Sequence, residues 1–299
     1  MAAIILCAAV FGVRLDTEFT GGAMITLSYQ GEISTSEVQK TASTALENNG
    51  LTLQTGENVA TGEQTLKISM PGTETVTTNE VQTLLDSLNE SYPDNSFAQL
   101  SLSNVSAAMG TKFLQKSLVA VVFALVLILA YIAYRFKNIG GLTGGMMAVL
   151  ALLNDLMVVF GTFVLLRAPL DGNFIAAMLT ILGYSINDTV VVYDRIRENQ
   201  TLLPGTQIQE LVNISDSQSL RRSIRTSVTT FSSMLIVTIV ALVMGLDSIL
   251  SFSVPMMAGI AMGTFNSICF VPSLWVWWQK KRGISVLKPP KKKAAKVSV

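Results

Sequence analysis

Two aspartates stand where carboxylates are expensive. Asp155 lies in the middle of the apolar run MMAVLALLNDLMVVFGTF and Asp188 within LTILGYSINDTVVVYDRIREN, each directly after an asparagine, Asn154 and Asn187. A charged side chain at the centre of a membrane helix costs about 2.5 to 3.5 kcal/mol on insertion scales, so an arbitrary sequence seldom keeps two. A proton or ion relay is one reason to keep them. The other is a polar contact that only fixes helix packing, with the Asn–Asp pairs bonding across helices. The chain has no histidine, the side chain that titrates nearest neutrality, so a proton carrier here must be a carboxylate. At a rise of 1.5 Å per residue, the apolar blocks place Asp155 roughly 24 Å and Asp188 roughly 12 Å from the same end of their helices. They read as two stations at different depths of one path, with Asp155 the deeper.

The polar residues around them carry weaker signals. Asp194 and Arg195, followed by Arg197 and Glu198, sit at the end of their apolar block. A surface ion pair that anchors topology is one reading, and a reach of Arg195 back toward Asp188 to tune its ionisation is the other. Thr226, Thr230 and Ser233 fall at helical spacing on a later block, where hydroxyls either bond their own backbone carbonyls or line a hydrated path. Gly141 with Gly145, Gly140 with Gly144 and Gly259 with Gly263 are small-xxx-small pairs that let helices approach closely. Cys7 and Cys269 both lie in apolar segments, so neither a disulfide nor a metal site is expected. No phosphate loop, metal cluster or nucleophilic triad is present, which points away from an enzyme and away from a nucleotide or other cofactor.

The elements that position these residues follow from composition. Half of the 299 residues are hydrophobic and 14% are charged, well below the roughly 25% of soluble domains. Five apolar blocks, about 117–134, 139–166, 173–193, 227–246 and 249–278, read as membrane spans. Residues 1–13 are apolar but short of the roughly 20 residues a span needs, and lack the basic start and cleavage site of a signal peptide. They read as a truncated first helix, for six spans in all.

Residues 14–112 read differently, as one domain with alternating apolar positions: Ile25, Leu27 and Tyr29 on one strand, Leu66, Ile68 and Met70 on another. Ser34 with Glu37 and Thr77 with Glu80 form capping-box patterns ahead of two amphipathic helices, the first ending at Asn49-Gly50. With strands near 51–57 and 97–104, the order strand–helix–strand–strand–helix–strand predicts a ferredoxin-like βαββαβ sandwich, a fold that by itself names no function.

Charge gives the orientation. Residues 14–112 hold twelve acids and four bases, whereas eight bases and no acid follow from Trp278 to the end. Basic segments stay in the cytoplasm, so both termini are expected inside, residues 14–112 outside, residues 113–280 as the five-helix membrane region, and residues 281–299 as a basic cytoplasmic tail. That tail adjoins a membrane helix and lacks interleaved aromatics, so it is expected to touch membrane lipids rather than nucleic acid.

The runs Phe19-Thr20-Gly21-Gly22, Asn154-Asp155, Gly183-Tyr184-Ser185-Ile186-Asn187-Asp188-Thr189 and Val192-Tyr193-Asp194-Arg195-Ile196-Arg197-Glu198-Asn199 resemble the SecF family of bacterial protein-export subunits, relatives of the resistance-nodulation-division transporters. The resemblance covers nearly the whole chain. It implies a multi-pass protein of the bacterial plasma (inner) membrane that uses the proton motive force with SecD to complete preprotein export. The SecYEG channel, the emerging preprotein and a YajC-type subunit are its implied partners, acting after ATP-driven insertion by SecA. Asp155 then matches the family's functional membrane aspartate. A proton-coupled small-molecule exporter of the same superfamily is the alternative, although such proteins usually carry twice as many spans and two large external loops in one chain. The approach Leu15-Asp16-Thr17-Glu18-Phe19 is longer than the family's usual Asp-Phe.

Overall fold

The structure, a computed structural model, describes residues 2–31, 33–46, 50–57, 62–72 and 76–287. Asn49 and the tail lysines Lys288, Lys291, Lys292, Lys293 and Lys296 lie outside the described residues. The chain divides into two compact units, Met1–Val121 with Val159–Met178 and Ser233–Met257, and Val122–Val158 with Leu179–Ser232 and Ala258–Val299.

In the first unit, β1 (Gly22–Tyr29), α3 (Thr35–Ala45), β2 (Thr52–Glu57), β3 (Gln64–Pro71), α4 (Thr78–Ser91) and β4 (Ala98–Val105) follow in the order the periodicity predicts. They form an antiparallel sheet in the order β2-β3-β1-β4. The alternating residues Ile25, Leu27, Leu66, Ile68 and Met70 are buried against Val38, Ala42, Val81, Leu84 and Leu88 of the two helices, so period-2 and period-3.6 stripes close one core. Lys67, between Leu66 and Ile68, necessarily points to the other face of the sheet.

The two caps differ. Thr77 and Glu80 form the full reciprocal capping box. Ser34 occupies the N-cap position of α3 but makes no cap bond, because its hydroxyl pairs with that of Ser36 at 3.1 Å. Helix α3 also stops earlier than expected, with Leu46 at its C-cap.

Before the sheet, α1 (Ala2–Phe11) is ten residues long, and the acidic approach that looked too long folds into a single turn, α2 (Thr17–Thr20), capped by Asp16. The Gly-Gly that follows needs its glycines. Gly21 and Gly22 have φ of 76° and 135°, and a Cβ on them would lie 2.5 Å from Ala107 Cα and 2.1 Å from the Met70 carbonyl oxygen. Phe19 stacks on Phe113 with centroids 5.6 Å apart.

Five helical stretches among the described residues are long and apolar enough to cross a membrane: α5 (Ala107–Arg135), α6 (Gly141–Leu165), α7 (Gly172–Leu202), α8 (Ile208–Met244) and a last one, Asp247–Lys281. The last is α9 (Asp247–Phe265) and α10 (Val271–Lys281) joined by the wide turn Asn266–Phe270. Each expected block finds its helix, but the helices overrun the blocks. Helix α5 begins at Ala107, so a boundary at 112/113 falls inside it. Helix α8 starts at Ile208, far ahead of its apolar part. Hydropathy marks the hydrocarbon, whereas a helix continues wherever its polar turns still bury a stripe: Ile208, Leu211 and Val212 pack with Tyr193, Ile196 and Trp275 in the core of the second unit.

Candidate functional site

The second unit gathers polar side chains around Asp155, which is fully buried. Ser185 Oγ donates to its Oδ2 at 2.6 Å and Asn266 Nδ2 to its Oδ1 at 2.5 Å. Asn154 Nδ2 in turn donates to Asn266 Oδ1 at 3.4 Å. Each partner is placed for a local reason. Ser185 faces Asp155 across α7, and Gly263 leaves the room for it, since a Cβ there would lie 3.2 Å from the Ser185 hydroxyl and 3.6 Å from Asp155 Oδ2. Asn266 opens the five-residue π-turn of the last helical stretch, a wider turn that re-aims side chains and recurs at functional sites. Every donor to Asp155 is neutral, and none of the ion pairs among the described residues reaches it.

Asp188 lies one turn beyond Ser185 on α7 and forms a second arm. Ser227 Oγ donates to its Oδ2 at 3.4 Å, and Ser227 is itself a hub, accepting from Tyr184 Oη at 3.0 Å and sitting 2.6 Å from Thr264 Oγ1. Thr264 also donates to the Ile260 carbonyl at 2.8 Å. The hydroxyls of Tyr184, Ser227 and Thr264 thus bring three protons to four bonds, and the arm is a proton short when Asp188 is ionised. Ser267 Oγ donates to the Ser185 carbonyl at 3.2 Å and lies 3.0 Å from Thr189 Oγ1, joining the two arms.

The geometry changes three sequence expectations. The different depths inferred from hydropathy shrink to about one turn, because Asp155 bonds Ser185, three residues before Asp188 on α7. Arg195 does not turn back to Asp188. It binds Gln218 Oε1 and Glu198 Oε2, both at 2.6 Å, since seven residues of helix, roughly 10 Å, separate it from Asp188 while these acceptors are at hand. The arginine whose charge bears on Asp188 is Arg222. Asn187 is exposed and takes no part.

The remaining expected residues are placed as follows. Asp194 pairs with Arg135 at 3.2 Å and Arg197 at 2.7 Å. Thr230 donates to its own helix at the Thr226 carbonyl, 3.0 Å away. Gly141 and Gly145 lie against α5, where Cβ atoms would come 2.5 Å from the Ala133 carbonyl oxygen and 2.8 Å from Leu129 Cδ1. Gly259 is buried in α9. Ser185 stands in the sequence only as part of a motif run, and Thr264, Asn266 and Ser267 went unselected, although an asparagine inside an apolar block is a signal of the same kind as Asp155.

The first unit holds a second cluster that the sequence did not reveal. Asp16, almost fully buried, accepts from Thr17 N at 2.7 Å and from Lys67 Nζ at 3.4 Å. Lys67 also pairs with Glu18 at 3.6 Å, and Glu18 Oε2 accepts from Gly172 N, the first residue of α7, at 2.8 Å. Asp171 caps the same helix, accepting from Phe174 N at 3.2 Å. Burial pushes Asp171 up to about 6, with the helix-cap bond opposing and the charges of Glu18 and Asp16 adding to the rise. A short parallel bridge, Asp16 N to the Leu170 carbonyl at 3.0 Å and Leu170 N to the Arg14 carbonyl at 2.8 Å, ties the strands that carry them.

Comparison with known proteins gives this arrangement a family. Residues 84–281, well over half of the chain, match the model described as protein export membrane protein SecD/SecF, C-terminal. The chain belongs to the SecD/SecF family. A protein translocase subunit SecF from Thermobaculum terrenum is 32% identical over 293 residues, covering 95% of this chain and 90% of its own. The corresponding subunit of Petrotoga mobilis is 31% identical over 273 residues, covering 91% of this chain and 88% of its own. Among solved structures, the SecDF of Thermus thermophilus aligns with a TM-score of 0.75 at 30% identity over 93% of this chain.

The SecD/SecF chain described here spans about a third of that longer SecDF chain, 36%. The family resemblance carried by the motif runs is thus borne out. Membership makes the chain a multi-pass membrane protein of protein export, and the helices long enough to span agree with it.

Proposed function

We propose that this chain is a SecF-type subunit that couples proton movement to the late, outward stage of preprotein translocation, with Asp155 as the group that gains and loses the proton. The observation that carries the reading is the setting of Asp155: a fully buried carboxylate between helices, held by Ser185 and Asn266 and facing no cation among the described residues. A stranded charge in that setting costs several kcal/mol and a proton removes it. Both partners serve either state, since a hydroxyl donates or accepts and an amide carries both functions. Protonation therefore changes which bonds join α6, α7 and the π-turn without dismantling the site. The Asp188 arm, one proton short when ionised, supplies a second station.

The same reading takes the short α1 as the end of a sixth span, and the β2-β3-β1-β4 sheet with its two helices as a ferredoxin-like domain outside the plasma membrane. Both termini are then cytoplasmic. The longer SecDF relatives support a SecD-type partner for the missing length, and SecYEG is the channel such a pair would serve. A preprotein-release assay in vesicles with an imposed proton gradient tests it. Asp155→Asn is expected to abolish the gradient-stimulated part of release while the protein still assembles, and wild-type stimulation in that variant would sink the proposal.

A further inference from the structure

A cavity of about 380 Å³ opens in the first unit between strand β2 and the ends of the membrane helices. Its position is set by chain geometry: α6 ends at Leu165, α8 ends at Met244 and α9 begins at Asp247, and residues just beyond or beside those ends line it. The cavity therefore lies where hydrocarbon gives way to headgroups. Beside it, the Thr55 hydroxyl of β2 donates to the Gly245 carbonyl and accepts from Asp247 N at 3.3 Å, which ties β2 to the start of α9.

The lining has four chemical parts. Leu242, Leu250 and Val254 are an apolar wall, Arg14 and Arg167 are cations, and Asp247 is an anion. The fourth part is Gln54, 8% exposed, whose amide nitrogen has no hydrogen-bond partner. Gln54 also borders a neighbouring hollow that contains Lys67. A buried donor without an acceptor is rare in folded proteins and is satisfied by water, an ion or a ligand. The amide donor asks for an acceptor, the arginines bring positive charge that suits an anion, the carboxylate suits a cation, and the wall suits hydrocarbon.

We infer that this cavity binds the headgroup of a zwitterionic phospholipid with a primary ammonium, of the phosphatidylethanolamine class, its phosphate toward Arg14, Arg167 and Gln54 and its ammonium toward Asp247. Arginine matches phosphate oxygens in bidentate fashion. A quaternary choline fits less well, because it offers Asp247 no N–H, and the lining contains no aromatic ring to hold it by cation–π contact. A purely anionic headgroup leaves Asp247 facing like charge.

The test uses the full chain purified in mild detergent and native mass spectrometry with defined phosphatidylethanolamine, phosphatidylcholine and phosphatidylglycerol, and inorganic phosphate as a separate probe. Wild type is expected to retain phosphatidylethanolamine over the other two by about threefold or more, the scale of one partly solvated ion pair. Asp247→Asn should erase the preference for phosphatidylethanolamine over phosphatidylcholine. Arg14→Gln with Arg167→Gln, both on exposed side chains, should weaken all three lipids together. Gln54→Leu keeps the buried volume and should lower retention with the preference kept. Equal retention of the three lipids by wild type, variants that retain lipid as wild type does, or inorganic phosphate displacing the bound lipid at equal concentration would each overturn the assignment.

Discussion

Asp155 and Asp171 are both buried carboxylates, at 0% and 3% exposure, yet they are held in opposite company. Asp155 has a hydroxyl and an amide as donors and faces no cation among the described residues. Asp171 caps a helix through the backbone N–H of Phe174, accepts from one amide, Asn173 Nδ2, at 3.2 Å, and shares its surroundings with Asp16, Glu18 and Lys67. A backbone N–H cannot change its role when the acid gains a proton, and a lysine ammonium can only donate. The Asp171 cluster is thus built mostly around fixed donors, Asn173 aside, and holds α2, β3 and the start of α7 together. A hydroxyl and an amide each carry both a donor and an acceptor, so the Asp155 site can be rearranged by one proton. The donor type around a buried acid, more than its burial, separates a fastener from a moving part.

The comparison breaks most directly at Asp155. Asp155→Asn keeps the size and both bonding partners while removing the titration, so gradient-stimulated preprotein release should fall to the level seen without a gradient. Retained stimulation would make Asp155 a fastener as well. Next in size is Gly22→Ala, in the unit that holds the Asp171 cluster. It places a Cβ 2.1 Å from the Met70 carbonyl oxygen at a φ of 135°, and should cost about 3 kcal/mol or more. Accumulation of the protein and protease resistance of its sheet domain measure it, and the motif glycines would be unnecessary if neither changed.

Asp171 supplies the pH test. Its folded value of about 6 lies above the ordinary 3.8, so the folded protein binds this proton more tightly than the unfolded chain. Its contribution to stability is fully present below the unfolded value, falls as pH rises through that window, and is lost above about 6. That difference is worth roughly 3 kcal/mol at most. Asp171→Asn should flatten this part of the stability–pH profile in detergent. Lys67→Met should move the window upward, because Lys67 opposes the rise at Asp171. The smallest effect expected is at Ser185→Ala, which removes one hydrogen bond to Asp155, about 1.5 to 3 kcal/mol if the acid is charged and near 1 if it is neutral. Comparing unfolding of Ser185→Ala in the wild-type and Asp155→Asn backgrounds reads that coupling.

Local periodicity and composition were enough for the strands and helices of the sheet domain, the apolar helices and the place of Asp155 within one of them, because each depends on residues within a few turns of one another. The Thr77–Glu80 capping box spans three residues and was legible as written. Ser34 shows where even a local pattern fails, since a neighbouring hydroxyl took its bond. Helix ends were misjudged for α7 and α8 because hydropathy reports the solvent, while helix length follows the packing of polar turns.

What only the tertiary structure decided is the company each acid keeps. Ser185 is 30 residues from Asp155 and Asn266 is 111 away; Glu18 is 154 residues from the helix end it caps. Such partners are chosen by how helices pack and where a π-turn aims one amide, and no spacing in the chain records that. The sequence by itself determined that Asp155 lies within an apolar helix and must carry a function or a bond. The packing determined that its bonds are the kind one proton can exchange.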